Sequence, residues 1–575
     1  MRKVILLFSI VALFFAACDS NKRPEKECNT FSEMPDPNAD TANWKSQGFI
    51  VSYGSINDRY AKYKEPGINI TKQHKVTGWK GEKVSAQIVV WTSAPVKQLE
   101  CEVTDLKSGQ NIIPQSTAQV RIVRYVMTDI FEPGCGYRKP ENFPANLVAD
   151  MLDNIECIDM DAKSVRPVWI TFDIPADAVA GTYTGKINVY ARNNKTQALD
   201  IELEVIDRTL PPAKDWAYHL DLWQHPSAVA RAQSLTLWSD EHFAAMKPLF
   251  KMLANAGQKV ITANINKEPW NNQCYDKYED MIIWTKNEDG SWTYDYTIFD
   301  KWVTFMMNEV GINKMINCYS MVPWNNEIHY KDAKTGEFIN VKADPGTKVF
   351  EEMWTPFLKD FVKHLNGKGW LNITNIAMDE RSPKEMDATL TLLKEVAPEL
   401  GISFADNHKS YKKYTYIKDL CVGLEAIVDS ADLAYRKEQG LNTTYYVCCS
   451  HKFSNVFTFS APAEAVYAAW YAKAHGYDGF LRWAYNSWVE NPVLDSRFRT
   501  WPGGDTYIVY PEARSSIRFE RLLEGVQDFE KIRILEKELS ADKLEELKAA
   551  ISQFKASRGV ENVSAMVDNA KKLLN

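Results

Sequence analysis

Two carboxylates stand side by side in the stretch "NITNIAMDER": Asp379 and Glu380, followed at once by Arg381. An apolar run that ends directly on charge pays a desolvation penalty unless the charge is partnered or used. Close like charges push two carboxyl pKa values apart, so that one group stays ionised while the other can hold a proton. Two carboxylates that flank a glycosidic bond normally come from different strands, roughly 5–9 Å apart. Neighbours at one strand end suit a different route, substrate-assisted hydrolysis of a 2-acetamido sugar. There the sugar's own amide oxygen attacks the anomeric carbon. One carboxylate orients the amide N–H, and the other protonates the leaving oxygen and later activates water. Acid pairs are also common on surfaces and at helix N-termini, so the case depends on what positions the pair.

From Tyr218 onward, short apolar strands alternate with helical patterns about eight times. The predicted strands are "AYHLDLW", "KVITANI", "KMINCYS", "NITNIAMD", "GISFAD", "GLEAIVDS", "TTYYVCC" and "GFLRWAY". Between them lie helical patterns such as "VFEEMWTPFLKDFVKHLNGKG" and "SPKEMDATLTLLKEVAPELG", the second with Ser382 as N-cap and Pro383 in the first turn. This grammar predicts a (β/α)8 TIM-like barrel with its active site at the C-terminal strand ends. A doubly wound sheet would want a glycine-rich phosphate loop after the first strand, and "DLWQHPSAVA" has none.

Reading each strand end in turn gives the candidate substrate-binding residues: Trp223 and His225, Asn264, Tyr319 and Trp324, Asp406 and Asn407, and Trp483 with Tyr485. Aromatic faces suit the apolar C–H face of a pyranose. Trp483 and Tyr485 alternate on the last strand and would share one face. Asn264, Asp406 and Asn407 offer hydrogen bonds to hydroxyls, with loop capping the competing role. His225 is as well explained by a loop hydrogen bond. No HxH or HExxH spacing supports a metal and no GxSxG elbow supports a serine nucleophile. No cofactor is expected.

The chain opens with "MRKVILLFSIVALFFAAC". A basic start, a short apolar run and small residues before Cys18 read as a secretory signal over residues 1–17. "FFAAC" resembles a bacterial lipobox, with Cys18 as the lipidated residue. Residues 18–44, polar and proline-containing, read as a tether. The expectation is an exported bacterial lipoprotein, membrane-anchored in the periplasm or at the cell surface, with the membrane as a partner through its lipid. Residues 45–210 carry alternating strand patterns and predict an all-β accessory sandwich. Residues 211–500 are the barrel, and 501–575 a C-terminal helical region packed on it. Within that region, "RFERLLEGVQDFEKIRILEKEL" reads as the solvated face of an amphipathic helix. Ten cysteines are scattered with no CxxC pair, and Cys448–Cys449 read as buried thiols on a strand. At 45% hydrophobic and 25% charged, the composition excludes disorder as the main state. The net charge of −7 argues against nucleic acid as the main partner.

Three stretches together resemble glycoside hydrolase family 123: "MDE" (Met378–Glu380), "GFLRWAYNSW" (Gly479–Trp488) and "WPGGDTYIVYP…SSIRFERLLEGVQDFE" (Trp501–Glu530). The resemblance implies an exo-acting, retaining β-N-acetylgalactosaminidase with an oxazoline intermediate. It also implies that Asp379 orients the amide and that Glu380 is the acid/base. The expected partner is a glycan with terminal N-acetylgalactosamine. Two alternatives stay open: a glycosidase for another sugar such as N-acetylglucosamine, and a non-catalytic surface glycan-binding lipoprotein.

Overall fold

The computed structural model describes residues 23–132, 135–136 and 142–575. The signal segment and Cys18 lie outside the described residues. Eight parallel strands form one sheet in chain order: β1 (His219–Leu222), β2 (Val260–Asn264), β3 (Met315–Tyr319), β4 (Thr374–Asp379), β5 (Gly401–Asp406), β6 (Asp419–Gly423), β7 (Asn442–Tyr446) and β8 (Gly479–Arg482). β8 pairs with β1, and a single bridge, Leu220 with Gln258, joins β1 to the start of β2, so the sheet is a nearly closed barrel. Helices α1 (Asp240–Ala254), α2 (Thr297–Thr304), α3 (Lys348–Lys368), α4 (Pro383–Val396), α5 (Ser430–Glu438), α6 (Pro462–His475) and α7 (Ile517–Glu538) cover the outside. Each strand is nearly all buried, as strands covered on both faces must be.

Several details differ from expectation. The sixth strand is Asp419–Gly423, not the "GLEAIVDS" run that follows it. A charged residue begins this strand because Asp419 points into the barrel, where it accepts from Asn317 Nδ2 and Ser403 Oγ, both at 3.0 Å, and faces His219. The connection from β5 to β6 holds only a 3-10 turn, Ser410–Lys412, in place of a helix. The seventh strand stops at Tyr446, so Cys448 and Cys449 lie beyond it. Cys449 is bonded to Cys135, while Cys448 is a half-buried thiol.

Two hairpins leave the C-terminal end of the barrel strands. Ile283–Lys286 with Trp292–Asp295 follows β2, and Glu327–Asp332 with Phe338–Lys342 follows β3. They join edge to edge as one four-stranded sheet. The loops before these hairpins carry Trp270 and Trp324. α4 begins with a capping box between Ser382 and Glu385 and with Pro383 in its first turn, as the sequence predicts.

The N-terminal region is a β-sandwich. One sheet runs Phe49–Gly54, Lys83–Thr92, Ser164–Asp173, Ala118–Thr128, Asn146–Asp153 and Ser515–Ser516. The other runs Gln73–Lys80, Gln197–Thr209, Gly181–Arg192, Val96–Val103 and Cys157–Met160. Their facing sides share a core that includes Ile88, Ile122 and Val168 from one sheet and Leu99, Ile187 and Leu199 from the other. Residues 23–44 are packed against this sandwich rather than free as a tether. Cys28 is bonded to Cys157, and Glu33 is buried against Arg166 at 2.7 Å and Lys62 at 2.8 Å.

α7 departs most from its sequence reading. It is wedged between barrel and sandwich, and Arg518, Arg521, Asp528, Glu530 and Lys531 along it are buried. Gly525 marks the close approach to α6, since a Cβ there would lie 2.8 Å from the Val466 carbonyl oxygen. The charges on α7 are met across the interface: Glu520 by Arg121 at 2.8 Å, Arg518 by Asp150 at 2.9 Å, and Lys531 by Glu82 at 2.9 Å. The periodic charge pattern was therefore real, but it faces two protein surfaces and not water. Among the described residues no helix is long and apolar enough to cross a membrane.

Candidate active site

Asp379 is the last residue of β4, and Glu380 is the first beyond it. Successive strand residues point to opposite faces. Glu380 escapes this rule through a left-handed backbone, φ 49°, unusual for a residue with a Cβ. The strain is held by the neighbouring strand end, since the Glu380 N–H donates to the Ala405 carbonyl at 2.9 Å. Such an outlier at a strand end is what a functional constraint leaves behind.

Asp379 Oδ2 accepts two indole hydrogen bonds, from Trp270 Nε1 and from Trp324 Nε1, each at 3.1 Å. Burial, with the adjacent Glu380 charge, pushes the Asp379 carboxyl up to about 7, and the two indoles pull against that shift. Glu380 Oε1 accepts from the Tyr446 hydroxyl at the end of β7. Trp223, Trp270, Tyr278 and Tyr319 pack around this end of the barrel. Trp223 lies 5.0 Å from Trp270 and 4.8 Å from Tyr319, centroid to centroid. Trp270 and Tyr278 are 4.6 Å apart. The pair thus stands over an aromatic floor, with one carboxylate clamped through one oxygen and the other held by a phenol.

The loop carrying Trp270 is built on Glu268, whose carboxylate accepts the backbone N–H of Trp270 at 2.8 Å and of Asn272 at 3.1 Å. The loop carrying Trp324 is tied to it by the Trp324 N–H donating to the Pro269 carbonyl at 2.8 Å.

Of the residues read from the sequence, Trp223, Tyr319 and Trp324 join the pair at the mouth. Trp324 is 37% exposed, so its ring also faces outward. Trp483 is half-buried beside the same cluster. Its indole donates to Asp505 Oδ2 at 3.3 Å and meets Trp501 edge-on. Tyr485 does not share that face. The strand ends at Arg482, and Tyr485 turns outward into the helix layer, where its hydroxyl donates to the Leu249 carbonyl at 3.0 Å.

His225 is wholly buried as the cap of the helical turn Pro226–Ala232. Its Nδ1 accepts from Ala228 N–H, its Nε2 meets the Asp276 carbonyl at 3.1 Å, and burial pushes it down to about 3. Asn264 is consumed in fixing the following loop, donating to the Tyr278 and Glu279 carbonyls at 3.2 Å and accepting from Ser320. Asp406 caps its own loop, accepting from the His408 N–H at 2.7 Å and the Ser410 N–H at 2.6 Å. Asn407 beside it is exposed. His225, Asn264, Asp406 and Tyr485 therefore shape the mouth from behind it.

Sequence reading missed Trp270 and Tyr446. Trp270 lies in "EPWNNQCY", six residues past its strand, so a scan of strand ends does not reach it. Tyr446 would have emerged had the strand been ended there and not at Cys449. Among the described residues one set of three possible metal-ligand side chains comes together, Cys135, Cys448 and Cys449, and two of its sulfurs are joined in a disulfide.

The catalytic-domain model of glycoside hydrolase family 123 matches residues 223–535, and that family's N-terminal domain model matches residues 53–191. The chain belongs to glycoside hydrolase family 123. A solved family 123 glycoside hydrolase from Clostridium perfringens, described in connection with glycolipid glycan hydrolysis, is 28% identical. It covers 92% of this chain and 97% of its own, with a TM-score of 0.84. A family 39 glycoside hydrolase from Bacteroides cellulosilyticus also matches, at 10% identity over 80% of this chain and 81% of its own, but with a TM-score of 0.35 it carries no argument. No curated protein matches the chain. As a family 123 member the protein is a glycoside hydrolase, and the Asp379–Glu380 pair lies inside the matched catalytic domain.

Proposed function

We propose that this hydrolase releases terminal β-linked N-acetylgalactosamine from glycans, with retention, through an oxazoline intermediate. The observation that carries the reading is the unequal holding of two adjacent carboxylates. Asp379 is gripped on Oδ2 by two indoles, which leaves Oδ1 to accept the N–H of a 2-acetamido group. In the first step the acetamido oxygen forms a bond to the anomeric carbon as the bond to the leaving oxygen breaks. Glu380 gives its proton to that oxygen. Asp379 stays ionised and stabilises the positive charge that builds on the oxazolinium nitrogen. In the second step Glu380, now a carboxylate, takes a proton from water, and the water oxygen opens the ring at the anomeric carbon. Two displacements on one carbon restore its configuration. The aromatic floor of Trp223, Trp270 and Tyr319 supports the same reading, because an acetamido methyl needs an apolar seat.

The Clostridium perfringens relative brings glycolipid glycans forward as the first substrates to test. The N-terminal "FFAAC" supports an exported chain lipidated at Cys18, which would hold the enzyme near a membrane. The deciding experiment is hydrolysis of the 4-nitrophenyl β-glycosides of N-acetylgalactosamine and N-acetylglucosamine, with a thiazoline mimic as inhibitor. Turnover of the galactosaminide with thiazoline inhibition is expected. Turnover without thiazoline inhibition would overturn the mechanism, and preference for the glucosaminide would overturn the sugar assignment.

A further inference from the structure

Trp324 is an odd anchor for a catalytic carboxylate. It sits on a surface loop, 37% exposed, yet supplies one of the two indole bonds to Asp379. A side chain that open keeps a hydrogen-bonding geometry only if something else holds it. What holds it comes from the chain segment just after the catalytic pair. Arg381 is 9% exposed, and its guanidinium lies 5.0 Å from the centroid of the Trp324 ring. Its Nη1 donates to the Pro323 carbonyl at 3.1 Å, fixing the peptide that enters Trp324. Its Nε faces Glu385 Oε2 at 3.7 Å, and the other oxygen of Glu385 accepts from Asn326 Nδ2 at 3.0 Å. One carboxylate in the first turn of α4 thus ties both Arg381 and the far side of the Trp324 loop.

We infer that Arg381 is a positioning residue for the amide-orienting carboxylate, acting on Asp379 through Trp324. The inference rests on the proposed role of Asp379 but adds a route that role does not require. An Arg beside two acids would otherwise be read as a charge partner. Its charge does help to draw the Asp379 carboxyl down, but its hydrogen bond goes to a backbone carbonyl, its ion pair to Glu385, and its guanidinium lies over an indole. Lysine cannot reproduce this, because it lacks both the planar face and the fork of donors.

The test is a double-mutant cycle on Arg381→Met and Trp324→Phe, with Arg381→Lys alongside, read as kcat and KM on the galactosaminide and as thiazoline affinity. Arg381→Met is expected to lower kcat about 10- to 100-fold, with KM changed less than about threefold and thiazoline weakened in step with kcat. Trp324→Phe should cost a similar factor. The double variant should be no worse than the worse single, because both remove the same support. Losses that multiply would overturn the inference, as would a wild-type rate in Arg381→Met. A second readout needs no turnover: the indole N–H signal of Trp324 in tryptophan-labelled protein, assigned by its loss in Trp324→Phe. It should shift in Arg381→Met and in Asp379→Asn, and a signal that ignores Arg381→Met overturns the inference. If the wild type hydrolysed neither aryl glycoside, the functional proposal would fall while the indole signal still decided Arg381.

Discussion

Carboxylates withdrawn from water occur in two regions of this molecule and are treated in opposite ways. At the barrel mouth, Asp379 is half-buried beside a second acid with two neutral indoles as its hydrogen-bond donors, and its carboxyl is pushed up to about 7. Between sandwich and barrel, the Glu520 side chain is 9% exposed. Burial alone would raise it, but Arg121 at 2.8 Å and the Ser515 hydroxyl hold it down to about 2. The second arrangement fixes charge and so fixes geometry. The first leaves a carboxylate whose hydrogen-bond donors carry no charge, so that its own charge stays available to the positive charge of the proposed oxazolinium. Stability and reactivity are separated here by the choice of donor.

The sharpest way to break this contrast is at the proposed acid. Glu380→Gln should lower kcat on glycosides with poor leaving groups by about 10²–10⁴-fold, measured beside a dinitrophenyl glycoside whose first step needs little acid help. Equal losses on both would deny Glu380 the proton-donor role. Asp379→Asn should be similarly slow, yet more heat-resistant. The folded carboxyl titrates near 7 against an unfolded value of about 3.9, so the fold loses stability as pH rises from roughly 4 to 7. Three units correspond to about 4 kcal/mol at most, and asparagine removes that cost. A melting temperature at pH 8 no higher than wild type would contradict it.

The opposite sign is expected between the domains. Arg121→Met leaves Glu520 buried without its cation and should cost about 3–5 kcal/mol, with kcat unchanged in the folded enzyme. Glu520's folded value lies below its unfolded one, so its contribution is present above about pH 4.3 and is lost as pH falls towards 2. The melting difference between variant and wild type should therefore shrink in acid, and a constant gap would show that packing rather than charge was lost. The smallest effect is expected from Trp324→Phe on the acid limb of kcat/KM. Losing one indole donor raises the Asp379 carboxyl, so the limb should move to higher pH by less than about one unit. Movement to lower pH would mean that the limb reports another group.

The barrel was legible because its strands are short apolar runs at regular intervals, and the carboxylate pair because charge ends one such run abruptly. What hid from the sequence did so for physical reasons. Asp419 begins its strand on a charge because the barrel interior has a polar layer with His219 and Asn317. The charges of α7 look like a wetted face because sequence cannot tell water from a complementary protein surface. His225 and Asp406 have the right types and places for sugar contacts, but local turns use their polar atoms first. Trp270 and Tyr446 are ordinary aromatics until the fold aims each at one carboxylate.

The two-residue strand Ser515–Ser516 completes a sheet whose other strands all end by Asp173, some 340 residues earlier, and it pairs with Met151 and Leu152. A ribosome or a translocation channel delivers the chain from its N-terminus, so the sandwich must wait for nearly the whole protein before its edge is covered and Arg121, Asp150 and Glu82 meet their partners on α7. The first domain synthesised is thus among the last to be finished. A chain cut after the barrel would be expected to spoil a region lying at its opposite end, and quality control would see an open strand edge rather than a missing tail.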